Sequence, residues 1–166
     1  MPVTFSGVAH PPPQKTRGNI ADLSRAEIAT TNMGKGGGTD LLMEHDHGSR
    51  VGTVHASWEG RNGELRVIGV VNDGEAATAV RNGTLRGLSL GTGIIQDTSG
   101  NTIMRTQDEL SLCEQPRRGG CYIDSIDGAS VRAVACFSQK SNRKCSPLTH
   151  PCHKTRTPTY HQRPPS

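Results

Sequence analysis

Val51-Gly52-Thr53-Val54-His55-Ala56-Ser57-Trp58 and Glu64-Leu65-Arg66-Val67-Ile68-Gly69-Val70-Val71 are two runs rich in strand formers, separated by the turn-forming Gly60-Arg61-Asn62-Gly63. That pattern is a β-hairpin. Upstream, Val3 to Ala9 reads as a short strand stopped by Pro11-Pro12-Pro13, which cannot donate to a ladder. Asp22 to Ala29 has a weak helical pattern through Leu23, Ala26 and Ile28, and the glycine-rich stretch Met33 to Thr39 reads as a loop.

Downstream, Asp73 is placed to cap a short helix from Glu75 to Arg81, and Asn82-Gly83 ends it. Leu85 to Leu90 and Ile94-Ile95 read as strand, and the polar turn Asp97 to Asn101 leads into Thr102 to Thr106. Glu109 to Cys113, Cys121 to Ile126 and Val131 to Phe137 complete the set, with a loop at Gln115 to Gly120. About seven strands with one or two short helices predict a mainly β chain with a few helices, as a small barrel or a pair of packed sheets.

Composition agrees with that class. In 166 residues the apolar content is 32% and the aromatic content 3%, with Gly 20 and Pro 10, so many turns and no large helical core are expected. The length suits one domain, residues 1–137, plus a tail, residues 138–166. The net charge of +4 belongs to that tail: Lys140, Arg143, Lys144, Lys154, Arg156 and Arg163 lie in it without an acidic residue. Of 19 Lys and Arg, the remaining 13 face 15 Asp and Glu, so the folded part is nearly balanced.

The tail is rich in Pro, Thr, Ser, Lys and His and is expected to be disordered, binding nucleic acid only non-specifically through its charge. Its Cys145, His150, Cys152 and His153, with Cys136, match none of the paired-cysteine spacings of a structural zinc site, so no metal is expected. Five cysteines form an odd set, and Met1 to Val8 has neither a charged nor an apolar leader region, so a reducing, intracellular setting without a disulfide framework is expected. No apolar run approaches the roughly 20 residues needed to cross a bilayer, and no membrane partner is expected.

Three separated segments carry chemistry: Glu44-His45-Asp46-His47, Gly87-Leu88-Ser89-Leu90-Gly91, and Glu109-Leu110-Ser111-Leu112-Cys113 running on to Arg117-Arg118-Gly119-Gly120. A serine hydroxyl is a poor nucleophile near neutral pH unless an imidazole takes its proton, and a third group that orients the imidazole stabilises its charged form. His45, Ser89 and Glu109 are the candidates for those roles. Each has a plain alternative: a solvated surface histidine, a strand serine near a bulge, an exposed strand glutamate, and a merely charged loop at Arg117 and Arg118. It is the conjunction of all four that points to catalysis, and the chemistry calls for no cofactor.

The order of the segments carries a resemblance. Leu41-Leu42-Met43-Glu44-His45-Asp46 with Val51-Gly52 resembles the histidine region of the herpesvirus capsid maturation proteases, the assemblins. Gly87-Leu88-Ser89-Leu90 is similar to their nucleophile segment. Leu112-Cys113 with Arg117-Arg118-Gly119-Gly120 is similar to their third-residue strand and arginine loop, and Val3 to Ala9 to their opening strand. The assemblins place a second histidine where this chain has Glu109. The tailed-phage prohead proteases instead have an acidic residue in a Glu-x-Ser-Leu context before a proline, which Glu109-Leu110-Ser111-Leu112 with Pro116 resembles.

The resemblance implies a seven-stranded barrel-like fold and a serine endopeptidase that cuts the internal scaffold protein inside an assembling capsid in an infected cell, with self-cleavage at Ala129-Ser130 and a homodimer as further expectations. Ser89 is then the nucleophile, His45 the base and Glu109 the orienting acid, while the Arg117 main chain and the Arg118 side chain hold the oxyanion. Asp108 competes with Glu109, but adjacent strand residues face opposite ways. His47 competes with His45, since two residues apart on an extended chain both can share a face, but the offset to Val51-Gly52 favours His45. No helical apolar pattern follows Phe137, where the assemblins build their dimer helices.

A non-enzymatic reading stands beside this one: a small β module with vestigial residues that binds scaffold or nucleic acid. Aromatics limited to Phe5, Trp58, Tyr122, Phe137 and Tyr160 supply no stacking platform for single strands. Gly87 to Gly93 lacks the Gly-Lys-Ser/Thr ending of a phosphate-binding P-loop.

Overall fold

The computed structural model describes residues 1–14 and 20–131. The hairpin is formed by β3 (Asp46–Glu59) and β4 (Leu65–Val71), and β4 carries on its other side β1 (Val3–His10), also antiparallel. Alternation decides which face is buried: Val3 and Phe5 of β1, Val54 of β3, and Leu65, Val67 and Val71 of β4 point into one core with at most 1% exposure. The turn between β3 and β4 closes on Glu64, whose carboxylate accepts from the Asn62 N–H at 2.9 Å.

Two long strands, β5 (Gly87–Gln96) and β6 (Thr102–Cys113), form an antiparallel ribbon. The expected breaks at Gly91-Thr92-Gly93 and near Gln107 are instead the two sides of one bulge-like register shift within continuous strands. A strand not expected from the sequence, β2 (Thr39–Met43), joins ribbon to hairpin: it pairs antiparallel with β3 and parallel with β6 through Leu41–Leu110, Leu42–Ser111 and Met43–Leu112. With β7 (Ile123–Ile126) and the two-residue β8 (Ala129–Ser130), the mixed sheet runs β5-β6-β2-β3-β4-β1-β7-β8.

The sheet curls until its flanks meet. Gly87 of β5 bridges to Tyr122 just before β7, the Leu88 N–H donates to Cys121 O, and the Ile123 N–H donates to Arg86 O, both at 2.9 Å. Seven strands thus go round in the barrel-like arrangement expected, and β8 is an appendage. The expected strand from Val131 to Phe137 and the basic tail fall, apart from Val131, outside the described residues, as do the tail's Cys and His residues.

Two helices sit at the rim. The second, α2 (Gly74–Asn82), has Asp73 as its N-cap, accepting from the Ala76 N–H at 2.9 Å, and ends on Gly83 in the left-handed conformation. The first, α1 (Arg25–Thr30), starts three residues later than the sequence pattern suggests, because Ser24 and Glu27 form a capping box that fixes the start.

The segment entering α1 is fastened to the barrel by buried His10, which is 2% exposed. Its Nδ1–H donates to Pro11 O at 2.7 Å, leaving Nε2 to accept from the Leu23 N–H at 3.0 Å. The bond from Leu23 requires a neutral ring, since a protonated Nε2 cannot accept. Burial holds the His10 pKa below its ordinary value, and the nearby Arg118 pushes the same way, against the Pro11 bond and the charges of Asp22 and Glu27.

The unfolded chain therefore takes up a proton that folded His10 resists, so stability is complete above the ordinary histidine value of 6.5 and is lost as pH falls from there towards the lowered folded value. The thermal midpoint is expected to drop between about pH 7 and pH 5.5 in the parent and to drop less in His10→Gln. Scanning calorimetry across that range checks this, and equal slopes in the two proteins would contradict it.

Candidate active site

β6 is the strand on which the site is built. Leu110 and Leu112 face the core with 0% exposure, so by alternation Glu109 and Ser111 project from the other face. Antiparallel pairing sets Ser89 of β5 directly opposite Ser111. Parallel pairing on the far side ends β2 at Met43, opposite Leu112, so the chain must reverse beside Ser111 to begin β3.

It reverses in two residues. Met43 pairs with Asp46, and the residues between, Glu44 and His45, have φ of 47° and 62°. Positive φ at both central positions is the signature of a type I′ hairpin turn, which normally selects Asn or Gly. Here two non-glycine residues take it up, and β6 with Glu114 just past its end holds them there. The Glu44 N–H donates to Leu112 O at 3.0 Å, the His45 N–H to Ser111 Oγ at 2.9 Å, and the Glu114 N–H to Glu44 Oε1 at 3.2 Å.

The turn delivers the His45 ring between the other two candidates. Nδ1 lies 2.5 Å from Glu109 Oε1, and Nε2 lies 2.8 Å from Ser89 Oγ. Glu109 can only accept in its ionised form, so Nδ1 carries the ring proton in the neutral imidazole and Nε2 is left to accept from the serine hydroxyl. Glu109 is 5% and Ser89 7% exposed, whereas 45% of the His45 side chain faces solvent. A buried carboxylate beside a half-exposed imidazole is equipped to stabilise a positive ring, and the ring to relay a proton between the hydroxyl and an incoming group.

The competitors are placed elsewhere. His47 lies past the turn, exposed in β3, because residues 44–45 are not extended and the two histidines do not share a face. Asp108 is exposed, its carboxylate near Gly93 rather than His45. Close approach explains the glycine after Ser89-Leu90: Gly91 pairs with Glu109, and a Cβ there would meet the Glu109 carboxylate 2.1 Å away.

The arginine loop crosses the same strand. Gly87, two residues before Ser89, pairs with Cys113 on one side and Tyr122 on the other, so the loop between them spans β5. A Cβ at Gly87 would lie 2.9 Å from the Pro116 ring, so the loop leaves room only for glycine. Arg117 is exposed. The Arg118 guanidinium turns toward the segment entering α1, its Nε donating to Asp22 Oδ1 at 2.8 Å and its Nη2 to Ala21 O at 3.1 Å. Among the described residues no hydrogen bond joins either arginine side chain to Ser89, His45 or Glu109. Asp22 as the partner of Arg118 has no sequence signal, since 96 positions separate them.

Cys113 and Cys121, at the two ends of the loop, are buried thiols. Burial raises their pKa values to about 12 and about 11. Both are therefore inert thiols near neutral pH. Among the described residues no group of three or more His, Cys, Asp or Glu is arranged to hold a metal ion.

No family model matches the sequence, and no curated protein matches it. Solved structures do resemble the fold. The KSHV protease, in complex with a hexapeptide phosphonate inhibitor, superposes with a TM-score of 0.57 at 13% identity, over 84% of this chain and 75% of that one. The varicella-zoster virus protease gives 0.51 at 15% identity, over 85% and 77%. The chain thus has the fold of the herpesvirus proteases, in keeping with the resemblance read from its segments.

The crowding between Gly91 and Glu109 is testable without reference to activity. Alanine in place of a strand glycine ordinarily does no harm. Gly91→Ala is expected to destabilise by about 1–3 kcal/mol through overpacking against the carboxylate. In a Glu109→Ala background the same change is expected to cost little. Urea unfolding of the four proteins measures the difference, and an equal cost in both backgrounds would contradict the contact.

Proposed function

We propose that the chain is a serine endopeptidase of the capsid maturation type. The observation that carries this reading is the chain of contacts from Ser89 Oγ through the His45 ring to Glu109, at 2.8 and 2.5 Å. Ser89 Oγ attacks the scissile carbonyl as His45 Nε2 takes its proton. The protonated ring, held by Glu109, returns that proton to the leaving amine, and water repeats the sequence to release the acyl group. The oxyanion is held by the main-chain N–H of Arg117 in the loop that crosses β5. The Arg118 side chain contributes through the Asp22 contact, which fixes that loop, or through water.

The substrate we propose, supported by the resemblance of the segments, is an internal scaffold protein cleaved inside an assembling viral or phage capsid, with the exposed Ala129-Ser130 as a self-cleavage point. A homodimer is part of this reading. The KSHV protease is in complex with a hexapeptide phosphonate inhibitor, and a peptide is the class of substrate proposed for this site.

A fluorophosphonate probe is expected to label the parent chain and to leave Ser89→Ala unlabelled. Glu109→Gln, whose amide favours the wrong imidazole tautomer, is expected to cleave about 10⁴-fold more slowly. Mass spectrometry of the labelled peptide checks the assignment. Labelling that survives Ser89→Ala, or its absence from the parent under salt conditions that favour dimers, would instead support a scaffold-binding or nucleic-acid-binding module with a basic tail.

A further inference from the structure

We infer that Ser111 is a positioning residue of this site, its buried hydroxyl locking the histidine-bearing turn and the orienting carboxylate into one geometry. The inference rests on the functional reading above and adds a fourth residue to it. Ser111 is 0% exposed, and a polar group so buried requires partners. Its partners are the main chain of His45 and the side chain of Glu109. The hydroxyl accepts from the His45 N–H at 2.9 Å and donates to Glu109 Oε2 at 2.9 Å.

Those directions are forced. An amide N–H can only donate and an ionised carboxylate can only accept, so the single hydroxyl proton goes to Glu109 and a lone pair faces His45. His45 Nδ1 lies 3.4 Å from the same oxygen but 2.5 Å from Glu109 Oε1, so the ring proton belongs to the carboxylate. Each carboxylate oxygen thus has a fixed task, Oε1 on the ring and Oε2 on Ser111, and the carboxylate cannot rotate without losing one of them.

The same hydroxyl answers the strain of the turn. His45 is held at φ 62°, a conformation that persists in a non-glycine residue only where its surroundings over-determine it. The Ser111 bond to its N–H is one of three fastenings on that turn, and the one among them made to the His45 main chain. Because Ser111 also stands opposite Ser89 in register, one residue references all three groups to the β6 backbone. A serine that merely filled space would have no need of the His45 N–H, 66 positions away on another element.

The test compares the parent chain with Ser111→Ala and Ser111→Thr, in peptide cleavage and in the rate of fluorophosphonate labelling at Ser89. Ser111→Ala is expected to lower kcat about 10- to 100-fold, the range that loss of a contact orienting a ligand costs at metal sites. KM should change less than about twofold, the labelling rate should fall with kcat, and Ser111→Thr, which keeps the hydroxyl, should recover most of the loss. Hydrogen exchange on the parent supplies a second readout that needs no variant. The His45 amide should exchange as slowly as the strand amides of β6, although it sits in a half-exposed turn.

A parent that labels, with Ser111→Ala labelling equally fast, overturns the inference and leaves the protease reading intact. So does a His45 amide that exchanges at the rate of an unstructured peptide, including in the event that Ser111→Ala fails to fold. A parent that neither labels nor cleaves overturns the functional reading instead, while protection of the His45 amide still supports the contact.

Discussion

Everything at this site depends on the alternation of side chains over four residues of β6. Leu110 and Leu112 are sealed in the core, and that burial fixes the register in which Glu109 and Ser111 are presented on the opposite face. A slip of one residue would exchange the two sets and drive Glu109 and Ser111 into the apolar core, so hydrophobic burial enforces the placement of the polar pair. Pairing on both flanks of the strand then does the rest. Antiparallel β5 brings Ser89 opposite Ser111, and parallel β2 ends where its turn must cross the same residues.

Two local costs accompany this geometry, and each is met by β6. The turn at Glu44 and His45 uses left-handed backbone that asparagine or glycine accepts more readily, and three hydrogen bonds hold it in place. The carboxylate of Glu109 gives up water, and bonds to His45 and Ser111 replace it. Glycine at position 91 removes the one side chain that would compete for its space. Local rules broken where a reactive group is aimed, with compensation from neighbouring strands, are what a site built for chemistry leads one to expect.

Much of this was legible in the sequence, and the parts that were not share a cause. The β3–β4 hairpin and α2 declare themselves through neighbouring residues: strand formers around Gly60 to Gly63, and Asp73 and Gly83 at the helix ends. The strand β2 did not, because Leu41-Leu42-Met43 is too short to carry a pattern and its pairing with β6 is parallel and distant in sequence. The offset to Val51-Gly52 favours His45 over His47, but the turn that parts the two histidines is not legible, since nothing in Glu44-His45 advertises a type I′ turn. The role of Ser111 was half visible: its two-residue spacing from Glu109 puts both on one strand face, but the His45 N–H that completes its bonding lies 66 positions away. Arg118 similarly carries an evident charge and a hidden partner in Asp22.

The central claim is that a β6 carboxylate and a β5 hydroxyl hold the same imidazole from opposite sides. Nitrogen-15 NMR of the His45 ring, at a pH where it is neutral, observes this directly. The account predicts the tautomer with its proton on Nδ1, that proton shielded from exchange by the Glu109 carboxylate, and an unprotonated Nε2 whose resonance shifts on Ser89→Ala. A ring carrying its proton on Nε2, or one whose signals are indifferent to both Glu109 and Ser89, would contradict it.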